Sequence, residues 1–85
     1  MFLLYKFLVQ LSTTKVDNMK IAENIKFYRK SLGLTQEKLA NLLNGKKSLV
    51  SNYENGYSIP DIHTLIKLAD IFQVSLDELV GRKSI

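Results

Sequence analysis

The feature that most constrains this chain is the corner Asn44-Gly45, set between two short stretches with helical spacing. Both residues tolerate a left-handed backbone that most residues avoid, so the chain can reverse direction there within a few bonds. Before the corner, Leu39, Ala40, Leu42 and Leu43 form the apolar side of a helix. Thr35 is its expected cap, and Glu37 faces the positive end of its dipole. After the corner, Leu49, Val50 and Tyr53 mark the inward side of a second short helix, from about Lys46 to the Asn55-Gly56 stop.

The same period extends on both sides of this unit. Ile21, Ile25, Tyr28 and Leu32 predict a helix from Lys20 that stops at Gly33. Beyond Pro60, Asp61 is a cap for a helix whose apolar side is Ile62, Leu65, Ile66, Leu68, Ala69 and Phe72. Gln73-Val74 breaks it. Ser75-Leu76-Asp77-Glu78 then has the capping-box form, which predicts a last short helix to Val80 before Gly81. No strand pattern stands out between Met19 and Val80. The expectation is an all-α domain of five helices over residues 19–80, preceded by an apolar extension and linker (1–18) and followed by a short tail (81–85). Two helices joined by a tight turn, the second short, polar outside and flanked by lysine, are what a reader of the DNA major groove requires.

Composition narrows the function classes. With 85 residues the expectation is one domain with one modest core. There is no cysteine and a single histidine, so no thiolate or histidine metal cluster is proposed and no cofactor is expected. No nucleophile or acid–base constellation can be assembled either, which speaks against an enzyme. The net charge of +4 is unevenly spread. Residues 1–18 carry +1, residues 19–57 carry +4, from seven cationic side chains against three carboxylates, and residues 58–85 carry −1. A basic middle with a mildly acidic end suits a protein that presents one face to a polyanion.

The opening MFLLYKFLVQL is apolar but short for a membrane span, interrupted by Lys6, and a poor signal peptide. Its spacing fits a strand face (Leu3, Tyr5, Phe7, Val9, Leu11) and a helix face (Leu4, Phe7, Leu8, Leu11) equally. Met19 is a candidate start of the native product, which would make residues 1–18 an upstream extension. The expected location is the cytoplasm, with no membrane contact.

The order Leu34-Thr35-Gln36-Glu37-Lys38-Leu39-Ala40, Val50-Ser51-Asn52-Tyr53-Glu54-Asn55-Gly56, Ile59-Pro60, Leu65-Ile66-Lys67-Leu68-Ala69 and Val74-Ser75-Leu76-Asp77-Glu78-Leu79 closely resembles the phage-repressor-like helix-turn-helix family, the Cro/C1 or XRE type. The resemblance runs from about Met19 to Val80. It implies a lambda-repressor-like five-helix fold whose third helix enters the major groove. By position, it makes Lys47, Ser48 and Asn52 the residues that meet base edges. Their chemistry suits the role: lysine donates to guanine, asparagine pairs bidentately with adenine, and serine is permissive. Gln36, Lys46 and Asn55 are implied contacts to backbone phosphates, with Lys38 and Tyr57 as further candidates. Arg29 and Glu54 match positions that form a structural ion pair in several members.

Three departures stand out. Asn44 replaces a preferred glycine, and Gly45 replaces an apolar turn residue that fills the gap between the two helices, which implies a looser turn. Lys46 replaces the usual serine or threonine cap. Leu49 suits either a thymine methyl contact or packing.

Bland readings compete with these. A lysine pair such as Lys46-Lys47 is ordinarily a solvated surface pair, and Ser48 and Asn52 can be plain exposed residues. His63, in a first helical turn, reads as a surface residue, and Tyr28 and Tyr53 as core or half-buried aromatics. Phe27 lies off the apolar stripe, so it is expected to be covered by residues 1–11 or by a second subunit. A homodimer is expected, because one such domain covers little DNA. Phe72, Val74, Leu76, Leu79 and Val80 are either its interface or the closure of the core. The functional expectation is a transcriptional regulator, a repressor acting by occupancy of double-stranded DNA, with no small-molecule substrate. The alternative is an antitoxin or other protein-interaction module with secondary DNA binding.

Overall fold

The computed structural model describes residues 18–82. These form five helices: α1 (Asn18–Ser31), α2 (Gln36–Leu42), α3 (Lys47–Glu54), α4 (Ile62–Phe72) and α5 (Leu76–Val80). Among the described residues there is no strand, and no helix is long and apolar enough to cross a membrane. The extension, its two candidate periodicities and the cover it would give Phe27 lie outside the described residues, apart from Asn18, which opens α1.

Each helix is delimited by local chemistry. α1 stops at Gly33, whose φ of 71° opens the turn, and Leu34 N–H bonds back to the Arg29 carbonyl at 3.1 Å. Thr35 caps α2, its hydroxyl accepting from Lys38 N–H at 3.0 Å. Asp61 caps α4 in the same way, accepting from Thr64 N–H at 2.8 Å. α4 ends on Gln73, in the left-handed region at φ 58°. At α5 the capping box closes both ways: Ser75 Oγ accepts from Glu78 N–H at 2.9 Å, and Glu78 Oε1 accepts from Ser75 N–H at 2.8 Å.

All five helices contribute to one core of Ile21, Ile25, Leu39, Ala40, Val50, Tyr53, Leu65, Leu68, Ala69, Phe72 and Leu79. Burying a residue such as Leu39, Leu68 or Leu79 stabilises by roughly 1.5–3 kcal/mol each, enough to hold helices too short to persist alone. Tyr28 bridges the core and the surface, its ring centroid 5.7 Å from Phe72 and 5.3 Å from the exposed Phe27. Asn24 ties the first helix to the last, its Nδ2 donating to the Leu79 carbonyl at 2.9 Å.

Four apolar residues expected to face the core are instead about half exposed: Leu32, Leu42, Ile62 and Ile66. An amphipathic helix buries a stripe of limited width. On α4 that stripe is centred on Leu65, Leu68 and Phe72, which turns Ile62 and Ile66 to its flank. On α2 it is centred on Leu39 and Ala40, and Leu42 turns away. Leu32 falls past the last helical residue. Around α5 the outcome is the reverse. Phe72 and Leu79 are buried, and Val74, Leu76 and Val80 pack half-buried against the core, so these residues close the monomer.

Candidate nucleic-acid interface

The turn between α2 and α3 is built by two residues with separate tasks. Asn44 takes the left-handed conformation, φ 59°, while Gly45 does not. Gly45 N–H bonds to the Ala40 carbonyl at 2.8 Å, closing the end of α2. Its lack of a side chain matters for space: a Cβ there would sit 2.6 Å from Leu49 Cδ2. Leu49 therefore folds back over Gly45 and packs against the core. It fills the gap that an apolar turn residue would otherwise plug, so the turn is filled from α3 and is not loose. This corrects the looser turn expected from Gly45: the space that its missing side chain leaves is occupied by Leu49.

The inner face of α3 is fixed at three depths. Val50 and Tyr53 are buried in the core, and Glu54 is held by its neighbours. Arg29 Nε donates to Glu54 Oε2 at 2.6 Å and Nη2 donates to Oε1 at 3.1 Å, with the two side chains 10% and 3% exposed. Arg29 Nη1 also donates to the Leu34 carbonyl at 2.7 Å, so one guanidinium joins α1, the α1–α2 turn and α3. The end of α3 is closed by its own backbone: the Asn52 carbonyl accepts from Tyr57 N–H at 2.9 Å and from Ser58 N–H at 3.3 Å. Gly56, at φ 77°, leaves room for Met19, whose Sδ would lie 3.0 Å from a Cβ there.

The outer face is different. Lys46, Lys47, Ser48, Asn52 and Asn55 are all exposed. Ser48 and Asn52, one turn apart, share a side of the helix. Asn55 makes one long bond, Nδ2 donating to Ser51 Oγ at 3.3 Å. Lys46 has the extended backbone of a cap, φ −99° and ψ 162°, but its side chain makes no cap bond. Lys38 is exposed and Tyr57 is 80% exposed. Gln36 is the exception among the expected phosphate contacts: it is half-buried, and its Nε2 donates to Glu54 Oε1 at 3.0 Å. Sequence reasoning missed that bond, because nothing local marks a contact between residues so far apart in the chain.

Tyr53 on α3 and Asp61, the cap of α4, are shifted from their ordinary values. Burial raises the Tyr53 hydroxyl, opposed by a hydrogen bond from Thr64 and helped by the negative charge of Asp61. Asp61 is lowered, first by the Thr64 backbone bond and then by its side chain. His63 is exposed at the surface.

A helix held on its inner side, with a free polar outer side and a filled tight turn before it, has the geometry of a helix-turn-helix. A model of that family, described as Helix-turn-helix (HTH_3), matches residues 25–79. The chain belongs to the HTH_3 helix-turn-helix family. It is 37% identical over 67 residues to the HTH-type transcriptional regulator ImmR of Bacillus subtilis (strain 168), covering 79% of this chain and 53% of that one. It is 36% identical over 64 residues to the cryptic phage CTXphi transcriptional repressor RstR of Vibrio cholerae, covering 75% and 57%. A transcriptional regulator from Listeria innocua has a crystal structure that superposes with a TM-score of 0.71 at 42% identity, over 76% of this chain and 61% of that one. The chain thus spans a little over half the length of these curated HTH_3 relatives.

Proposed function

We propose that this chain is a sequence-specific regulator of transcription that binds double-stranded DNA, laying the outer face of α3 in the major groove and acting by occupancy as a repressor in the cytoplasm. The observation that carries the reading is the two-sidedness of α3. Its inner side is locked by Val50, Tyr53 and Glu54, while Ser48 and Asn52 stand exposed on the other and Lys47 is exposed in the first turn. Lys47, Ser48 and Asn52 are the base-reading residues; Lys46, Asn55 and Gln36 hold phosphates. The regulators and the phage repressor among the relatives support the same reading. A non-catalytic role follows from it.

Self-association belongs to the same proposal, since two half-sites about one helical turn apart double the DNA contacted. The apolar residues around α5 are spent on the core, whereas Tyr57, Ile59, Ile62 and Ile66 are exposed in the segment that follows α3 and supply the surface for a second copy.

The test is a binding selection on random duplex DNA at two salt concentrations. Asn52→Ala should relax the base preference at one position, a loss of about 1–3 kcal/mol in discrimination. Lys46→Ala should weaken all sequences alike and flatten the salt dependence by about one unit of slope. Equal enrichment of every sequence by the parent chain would end the proposal.

The alternative reading, a protein-interaction module such as an antitoxin, draws on the 63% exposure of Phe27, a large apolar side chain on α1 away from α3. Capture of a protein partner that depends on residues 1–18 or on Phe27, together with failure of the DNA selection, would favour it.

A further inference from the structure

Glu54 does more than neutralise Arg29. Its Oε2 accepts from Arg29 Nε, and its Oε1 accepts from both Arg29 Nη2 and Gln36 Nε2. Gln36 is the first residue of α2, with the next cap bond, from Lys38 N–H, already taken by Thr35. We infer that Glu54 is a positioning residue for DNA binding: it fixes the Gln36 side-chain amide so that the remaining N–H is presented to a phosphate. The inference rests on the proposed reading of Gln36 as a phosphate contact and names what orients it.

Three physical points lead there. A carboxylate only accepts hydrogen bonds, so the Gln36 amide must turn its nitrogen toward Glu54 and cannot flip. One of its two N–H groups is spent on Glu54, which leaves one donor with a set direction. The carboxylate would by itself repel a phosphate, but Arg29 binds it through two nitrogens and offsets its charge where the anion approaches. Gln36 is thus ordered before DNA arrives, and ordering one flexible side chain in advance is worth about two- to tenfold in affinity. The same contact links α1, α2 and α3 through a single buried carboxylate, so the ion pair and the phosphate grip form one unit.

The experiment uses the full chain and a duplex that the parent recovers from a random-sequence pool. Six proteins are compared: the parent and the double variant Arg29→Met with Glu54→Met, each alone, with Gln36→Ala and with Lys46→Ala. The methionine pair replaces a buried ion pair with apolar side chains of similar length, a replacement that often leaves stability intact, and thermal unfolding checks it. Gln36→Ala should weaken binding about tenfold in the parent and less than about twofold in the methionine background. Lys46→Ala should cost the same in both backgrounds, whereas a general loosening of the domain would change both dependences together.

Equal losses for Gln36→Ala in the two backgrounds would overturn the positioning role while leaving Gln36 as a contact. No loss in the parent would instead overturn the reading of Gln36 as a contact, and the inference with it. If the methionine pair does not fold, proton exchange of the Gln36 side-chain amide in the parent decides. One proton protected supports the role, and exchange as fast as in an exposed glutamine overturns it.

Discussion

At α5, five residues long, Ser75 and Glu78 satisfy each other's backbone N–H groups, and Asp77 and Glu78 place negative charge at the positive end of the helix. At α3, eight residues long, Lys46 has the backbone of a cap and supplies no acceptor, and the first turn holds lysine and no acid. The outward side chains of α5 are partly spent on itself, and its Leu79 is sealed in the core. Those of α3 are left facing water. One helix is chemically finished within the chain. The other keeps unused donors and positive charge where an anion would complete them.

The largest test of this contrast is Leu79→Ala. Removing a fully buried leucine should cost about 2–5 kcal/mol in urea unfolding, yet the folded fraction should keep the parent's base preference. A changed preference would mean that α5 helps to shape the DNA face. Next is Lys46→Ser, which gives α3 the cap it lacks. Stability should rise by about 1 kcal/mol while affinity for DNA falls, and a rise in both would show that Lys46 does not touch the duplex.

The smallest effect comes from the carboxylate cap of α4. Because the folded pKa of Asp61 is lowered, its contribution is fully present above the ordinary aspartate value and is lost as pH falls through the lowered folded value. Acid titration followed by amide exchange should therefore show the first turn of α4 fraying in that window. The forward arm of the α5 cap uses a serine hydroxyl, which does not titrate there, and serves as the comparison.

Much of this was legible in the sequence because it is local. Thr35, Asp61 and the Ser75–Glu78 pair bond to backbone three residues away, so a short window contains the whole interaction. Gly33 and Asn44 mark left-handed turns for the same reason. The centre of each apolar stripe was also readable. Its edges were not: Leu42, Ile62 and Ile66 keep the right spacing, but which flank is covered depends on where a neighbouring helix lies. The helix likewise begins at Asn18, slightly before the Lys20 read from periodicity, since polar first-turn residues carry no stripe. At the candidate site, exposure of Lys47, Ser48 and Asn52 followed from the pattern, whereas the bond from Gln36 to Glu54 depends on how α2 and α3 cross.

The seat of Leu49 above Gly45 has a consequence for how such a chain can diverge. The two positions share one volume: a methyl group at the glycine would sit 2.6 Å from Leu49 Cδ2, so the end of the leucine would have to turn aside. An ancestor or descendant with a bulky residue in the turn would need a smaller or redirected partner on α3. The two sites should therefore be inherited as one choice.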